Sequence, residues 1–306
     1  MCEFVGIDTS NYTTSCAVSE SGVITVNERK LLEVAVGERG LRQSDAVFQH
    51  VRNLPEVIKK VGRREISAVG VSDRPRNVAG SYMPCFLAGV SVAESLASLC
   101  GVRLFRFSHQ QGHIAAALYS AGCEYLHGGE FLAFHLSGGT TELLHVNGND
   151  CEIIGRTLDI SCGQLIDRAG VMLGLKFPCG GELEKLAGNT LSKKVRTSVR
   201  GLDCCLSGFE NKVGELIKKG AGKCEISNFV LSAVAETVSA MTENALEQYG
   251  RLPVVYSGGV VCNNLIKERL GEYGGLFAGR EFASDNAAGI ARLTEMTYLG
   301  ELDYAE

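Results

Sequence analysis

Laid over one another without a gap, Phe4–Thr14 (FVGIDTSNYTT) and Phe131–Thr141 (FLAFHLSGGTT) share their leading Phe, an internal Ser and a closing Thr-Thr pair. An apolar run precedes each Ser, and a strand with a turn follows each. Two β-hairpins can agree this far by chance. Two segments that each read strand, polar turn, strand also fit a duplicated α/β chain. Such a chain has two lobes built to one plan, with the ligand between them.

Composition permits that plan. The chain has 306 residues, 45% hydrophobic and 21% charged, enough for two sizeable cores. Its net charge of −5 argues against a generally basic nucleic-acid coat, so any such contact must come from a local patch or a partner. Twelve cysteines without a C-x-x-C pair read as reduced, mostly buried thiols and a cytoplasmic protein. The opening MCEFVGID lacks the basic and apolar regions of a signal peptide. The apolar stretch Met83 to Leu99 is broken by Glu94 and serines and is too short to span a bilayer, so no membrane is expected.

Elements alternate along the chain. Residues 4–28 read as short strands with a turn at Glu20-Ser21-Gly22. Ala46 to Val61 reads as an amphipathic helix with Val47, Phe48, Val51, Leu54, Ile58 and Val61 on one stripe, and Pro55 is expected to kink or split it. Strands are expected at 66–72 and 253–259, with a long helix over Ile226 to Tyr249.

Three features carry chemistry. His109 and His113 in "SHQQGH" stand four residues apart in a helical pattern, close enough to hold one ion or simply to be neighbours. Asp285, just before a small-residue helix, can complete a trio or act as an N-cap; two His and a carboxylate suit Fe(2+) or Zn(2+). The glycine turns "HLSGGTTEL" (135–143) and "YSGGVVCNN" (256–264), the second with Asn263 at a helix start, can present amides and hydroxyls to phosphate. Asp159 and Asp167 can meet ribose hydroxyls, or else cap a helix and pair with Arg168 or Lys176.

In order and spacing these motifs resemble the TsaD/Gcp family, tRNA N6-adenosine threonylcarbamoyltransferases formerly described as O-sialoglycoprotein endopeptidases. "GIDTS", "SHQQGH", "LSGGTTEL", "GRTLD…GQLIDR…LGLKFPCGG", "SGGVVCN" and "SDNAAGIA" are collinear with it from about Val5 to Ala291. The resemblance implies a duplicated two-lobe actin-like fold of the actin/Hsp70/sugar-kinase (ASKHA) class. The lobes are expected at 1–105 plus 286–306 and at 106–285, with the ligand cleft between them. It implies one Fe(2+) or Zn(2+) per subunit on His109, His113 and Asp285. It implies nucleotide contacts from His135, Leu136, Ser137, Gly138 and Gly139, with Asp167, Gly180 and Asn263 beside them; no catalytic residue is assigned. Family members pass a threonylcarbamoyl group from its adenylate to N6 of adenosine 37 in tRNA, releasing AMP. They work with small partners that include an inactive paralogue and an ATPase, and a homo- or heterodimer is expected.

The departures are as informative. The family's acidic pair after the first turn is replaced by Asn11-Tyr12-Thr13, and its central "DDA-x-GEAFDK" reads DISCGQLIDR from Asp159, so Ile160 and Gln164 replace acids. Its "GPG" loop is Asp73-Arg74-Pro75-Arg76, and its "FSGLK" is Leu206 to Glu210. Three readings follow: a divergent threonylcarbamoyltransferase, a non-catalytic nucleotide- and metal-binding scaffold, or a carbamoyl transferase acting on a small molecule. The protease reading lacks the Glu of H-E-x-x-H. Lys193-Lys194-Val195-Arg196 with Arg200 is a candidate contact for tRNA phosphates or plain solvated surface.

Overall fold

The computed structural model describes residues 2–10, 12–33, 41–78, 80–148, 150–192, 195–283 and 285–303. The chain forms two compact units, Met1–Gly128 with Ser284–Glu306, and Gly129–Ala283.

In the first unit, β1 (Glu3–Asp8), β2 (Thr13–Glu20) and β3 (Val23–Leu31) make an antiparallel meander. Its second turn closes at Ser21 and Gly22, both at positive φ, as the sequence predicts for a tight hairpin. After α1 (Gln43–Val61), β4 (Ile66–Arg74) joins β1 in parallel; after α2 (Phe86–Cys100), β5 (Arg103–Ser108) joins β4 in parallel. The order is β3-β2-β1-β4-β5. Both faces are covered over the central strands β1, β2 and β4, whereas the outer strand β3 has no fully buried residue. Val5, Ile7, Cys16, Val18, Val69 and Val71 pack on α1 and α2. Phe4, Ala68, Phe105 and Phe107 pack on α3 (His109–Ser120) and the last helix, Ala288–Tyr298.

Two sequence expectations change here. Helix α1 runs through Pro55 without a break, since Pro55 and Val51 lie on the solvent side, where the carbonyl left without an amide partner can meet water. Its buried face is also rotated from the expected stripe: Phe48 and Val51 are 62% and 56% exposed, whereas His50 and Asn53 point inward. The reason is polar, because both inward side chains hydrogen-bond Thr14 of β2.

The second unit repeats the plan. Its meander is β6 (Glu130–Leu136), β7 (Thr141–Asn147) and β8 (Asp150–Arg156). Then come α4 (Cys162–Met172), α5 (Gly180–Leu186), a short pair β9 (Val199–Arg200) and β10 (Asp203–Cys204), α6 (Ser207–Lys218) and the buried α7 (Lys223–Tyr249). Strand β11 (Val254–Ser257) joins β6 in parallel, and after α8 (Asn264–Gly271) β12 (Leu276–Phe277) joins β11 in parallel. The order β12-β11-β6-β7-β8 matches that of the first sheet strand for strand, senses included. The repeat is a duplication of the fold.

The unit boundary differs from the expected break at 105/106, which would cut β5. Strand β5 completes the parallel half of the first sheet, and α3 crosses the last helix where Gly112 and Gly289 meet backbone to backbone. His109, His113 and Asp285 therefore all belong to the first unit.

Candidate functional site

Strands β1, β4 and β5 run parallel, so their carboxyl ends share one edge of the first sheet, the edge where open α/β sheets place ligands. Strand β5 ends at Ser108, which caps α3 through a reciprocal box with Gln111. The box fixes the first turn, putting His109 at its start and His113 one turn on. A Cβ at Gly289 would fall on the Gly112 carbonyl, so only this close crossing lets the residues just before the last helix reach α3.

The result is a triangle. His109 Nε2 and His113 Nε2 lie 2.9 Å apart, with Asp285 Oδ1 3.1 Å from His113 Nε2 and 3.7 Å from His109 Nε2. Two imidazole nitrogens this close either share one proton or turn both lone pairs to a cation. Donors that lie about 2.1 Å from one ion, roughly 90–125° apart, stand about 3.0–3.7 Å from each other, so the trio fits a single Fe(2+) or Zn(2+) ion. All three side chains are partly exposed, which leaves an approach from solvent. The structure thus brings together the three ligands expected from sequence.

Sequence reasoning gave no role to Asp8. It ends β1, is almost wholly buried, and its Oδ2 accepts from His109 Nδ1 at 2.6 Å. Burial by itself would raise this carboxyl and lower the imidazole. Their mutual attraction and hydrogen bond outweigh burial, holding Asp8 below and His109 above the usual ranges. The missed signal was a carboxylate closing an apolar run, costly to bury unless paired.

In the second unit, His135 to Gly139 lie at the carboxyl end of β6 and Asn263 follows that of β11, while Asp167 and Gly180 lie on α4 and α5. His135 of β6 pairs in register with Ser257 of β11. Leu136 is fully buried, and a Cβ at Gly258 would strike its carbonyl. The turn Ser137–Gly139 sits on the start of α4, with Ser161 Oγ donating to the Gly138 carbonyl and Gly163 N to that of Ser137. Gly138 and Gly139 are exposed, and a Cβ on either would meet nothing within 4 Å. The amides of Gly139 and Thr140 donate to Ser137 Oγ, so part of the turn's donor set serves the turn itself.

Asp167 Oδ1 accepts from Cys179 N, holding the residue before Gly180, the first residue of α5. On the same helix, Glu184 accepts from the backbone and side-chain amides of Asn264, which adjoins Asn263. Asn263 Oδ1 caps α8, while its buried Nδ2 has no partner among the described residues. An unpaired buried donor beside a glycine turn fits an anion or carbonyl ligand.

The alternatives for the two aspartates now separate. Asp159 accepts from the amides of Ile160, Leu206 and Ser207 and from Ser207 Oγ, so it caps the approach to α6. Asp167 works at Cys179, while Arg168 pairs with Glu210 instead.

The residues standing where the family has acids are spent on the fold. Ile160 is in the core, and Gln164 completes the capping box of α4 with Ser161. Burial pushes Cys16 and Cys204 up to about 12 and Cys162 up to about 11, so these thiols stay neutral. Arg196 and Arg200 are exposed, whereas Lys193, Lys194 and Asn11 lie outside the described residues. No helix among the described residues is long and apolar enough to cross a membrane.

A family model described as TsaD, tRNA N6-adenosine threonylcarbamoyltransferase, matches residues 37–292. A protein named tRNA N6-adenosine threonylcarbamoyltransferase from Dehalococcoides mccartyi is 29% identical over 94% of this chain and 91% of its own length. A Thermoplasma volcanium protein named a probable bifunctional tRNA threonylcarbamoyladenosine biosynthesis protein is also 29% identical, over 96% of this chain; the chain spans 56% of that relative. Among solved structures, component A of the (R)-2-hydroxyglutaryl-CoA dehydratase of Acidaminococcus fermentans aligns with a TM-score of 0.57 at 17% identity, covering 98% of this chain and 100% of the other. That likeness shows the fold, which is the actin-like α/β class.

Proposed function

This chain belongs to the TsaD family of tRNA N6-adenosine threonylcarbamoyltransferases, and from that premise we propose that it transfers a threonylcarbamoyl group from its adenylate to N6 of adenosine 37 of tRNA. One observation carries the reading. The His109–His113–Asp285 triangle is assembled, with ligand-compatible separations, at the carboxyl edge of the first sheet.

The metal would be Fe(2+) or Zn(2+), held by those three residues. Bound there, it would supply Lewis acidity toward an oxygen of a bound anion. Asp8 keeps the His109 ring in place. Ser137 to Gly139 offer an open turn for the phosphate of the adenylate, with Asn263 Nδ2 as a buried donor that has no partner among the described residues and Asp167 holding the start of α5. The adenylate arrives activated, so positioning provides most of the rate: the amine attacks the carbamoyl carbon, the bond to phosphate oxygen breaks, and AMP departs. The target base is reached in a loop, where unstacking costs little. Small partner proteins of the kinds used by the family, an inactive paralogue and an ATPase, would complete the system.

Proton removal from the attacking amine is the weak point. The positions of two family acids hold Ile160 in the core and Gln164 in a helix cap. A missing general base costs about two to four orders of magnitude. Slow, partner-dependent formation of modified adenosine is therefore expected from unmodified tRNA, threonine, bicarbonate and ATP with the adylate-forming enzyme and partners supplied. Rates equal to an ordinary family member would show that those acids are dispensable. No product with any tRNA, beside retained nucleotide and metal binding, would turn the assignment to the scaffold reading that the same two substitutions favour.

A further inference from the structure

Asp8 makes two hydrogen bonds through different oxygens, and both partners are donors. Oδ1 accepts from the Ser10 amide at 2.6 Å, and Oδ2 accepts from His109 Nδ1 at 2.6 Å. The carboxylate is 1% exposed, so water does not substitute for either partner. We propose that Asp8 is a positioning residue for the metal centre: by accepting from Nδ1 it fixes the His109 tautomer whose Nε2 lone pair faces His113 and Asp285. This rests on the reading of His109, His113 and Asp285 as ligands.

A neutral imidazole carries one N–H, and a metal-binding nitrogen must be the one without it. Nδ1 faces a carboxylate oxygen, which only accepts, so the proton sits on Nδ1 and Nε2 is left bare. The same carboxylate anchors the turn after β1, because the Ser10 amide takes its other oxygen. Ser15 Oγ donates to the Asp8 backbone carbonyl, which holds the strand end from β2. Ring orientation and turn conformation thus hang on one side chain of fixed length.

Asparagine has the same shape and breaks this pairing. It offers one acceptor and one donor group to two donors. If its oxygen serves Ser10, its amide faces Nδ1 as a donor, which favours the His109 tautomer with hydrogen on Nε2, unfit to ligate. If its oxygen serves His109, the Ser10 amide faces an N–H and the turn is released. Outer partners of ligating histidines typically contribute about 10–100-fold in metal affinity.

The test uses the full chain and Zn(2+) competed against a chromophoric chelator, with Asp8→Asn beside wild type. Asp8→Asn is expected to bind Zn(2+) about 10–100-fold more weakly while its circular dichroism matches wild type. A second measurement needs no variant. Long-range proton–nitrogen correlation spectra of the metal-free wild type should show His109 protonated on Nδ1. Wild-type affinity in Asp8→Asn, or a neutral His109 in wild type that carries its proton on Nε2 and leaves Nδ1 bare, would overturn the proposal. Failure of wild type to bind Zn(2+) at all would overturn the ligand reading beneath it, while the spectra still judge Asp8 by itself.

Discussion

The turns after β1 and after β6 occupy matching places in two sheets of the same topology, yet they are spent differently. In the first unit Asp8, Thr9, Ser10, Thr13 and Thr14 are all buried. Thr9 Oγ1 reaches the Cys85 carbonyl and accepts from Gly89 N, tying the turn to α2, while Asp8 reaches His109. In the second unit the glycines at the tip are exposed with open space above them. The matching threonines show the shared frame: Thr14 Oγ1 is anchored by His50 and Asn53 of α1, and Thr141 Oγ1 by the first amide of α4. Duplication kept the strand, the turn and the threonine anchor. Side chains inside the first turn made it a brace for His109 of the His109–His113–Asp285 triangle, and glycines left the second turn open.

The largest effect expected from this division is on metal. His113→Ala removes one corner of the triangle, while the Ser108–Gln111 box that caps α3 and the Asp8–His109 contact remain. Elemental analysis should show the bound Fe or Zn lost with the fold intact. Unchanged metal content would break the comparison at its first unit. Next comes packing behind the first turn. A Cβ on Gly6 would fall on the backbone of Ala287 and Ala291 in the last helix, which no rotamer can relieve. Gly6→Ala is expected to cost about 3 kcal/mol or more in denaturant unfolding. A cost near zero would mean that the last helix does not rest on β1 as described.

How far these features were legible in sequence follows from their range. The repeat exposed the duplicated plan because strand periodicity and Thr-Thr anchors are local patterns. The histidine pair was legible because i, i+4 is a helix neighbour distance, and Asp285 because a small-residue helix follows it. The face of α1 was misjudged since Phe48 and Val51 are more apolar than the His50 and Asn53 that displaced them; only the long-range bond to Thr14 explains the choice. Asp8 was missed for the same reason, its partner lying a hundred residues away on α3. Gly112 and Gly289 likewise look like ordinary helix residues until two backbones meet. Local periodicity was readable; polar pairs across the sheet were not.

A smaller effect separates the two threonine anchors by pH. Burial pushes His50 down to about 4, against the pull of the Asp8 carboxylate, whereas the anchor of Thr141 is an amide that does not titrate. Between pH 6.5 and 4 the unfolded chain takes up this proton and the folded chain does not, so stability falls as pH drops through that interval, by about 3 kcal/mol at most. His127, also pushed down to about 4 by burial, acts with the same sign. His109 acts oppositely: its raised value gives stability that is full at low pH and lost as pH rises through it. Asp8, held below its usual range, gives stability that is lost only under stronger acid. His50→Asn, which can still reach Thr14, should flatten the loss between pH 6.5 and 4 in denaturant titrations. An unchanged slope would assign the acid sensitivity elsewhere.

The smallest structural effect belongs to the open turn, and it should come with a functional one. Gly138 is exposed, has no positive φ, and a Cβ there meets nothing within 4 Å. Gly138→Val should therefore leave stability within about 0.5 kcal/mol of wild type, in contrast with Gly6→Ala. The added isopropyl group occupies the space through which a phosphate would approach the turn. Calorimetry with AMP or ATP should show affinity reduced by about tenfold, near 1.4 kcal/mol, with metal content unchanged. Equal affinity in wild type and variant would remove the phosphate from Ser137 to Gly139 and leave the two turns alike in having only a structural use. Lost affinity with lost stability would show that the second turn, like the first, is braced from within.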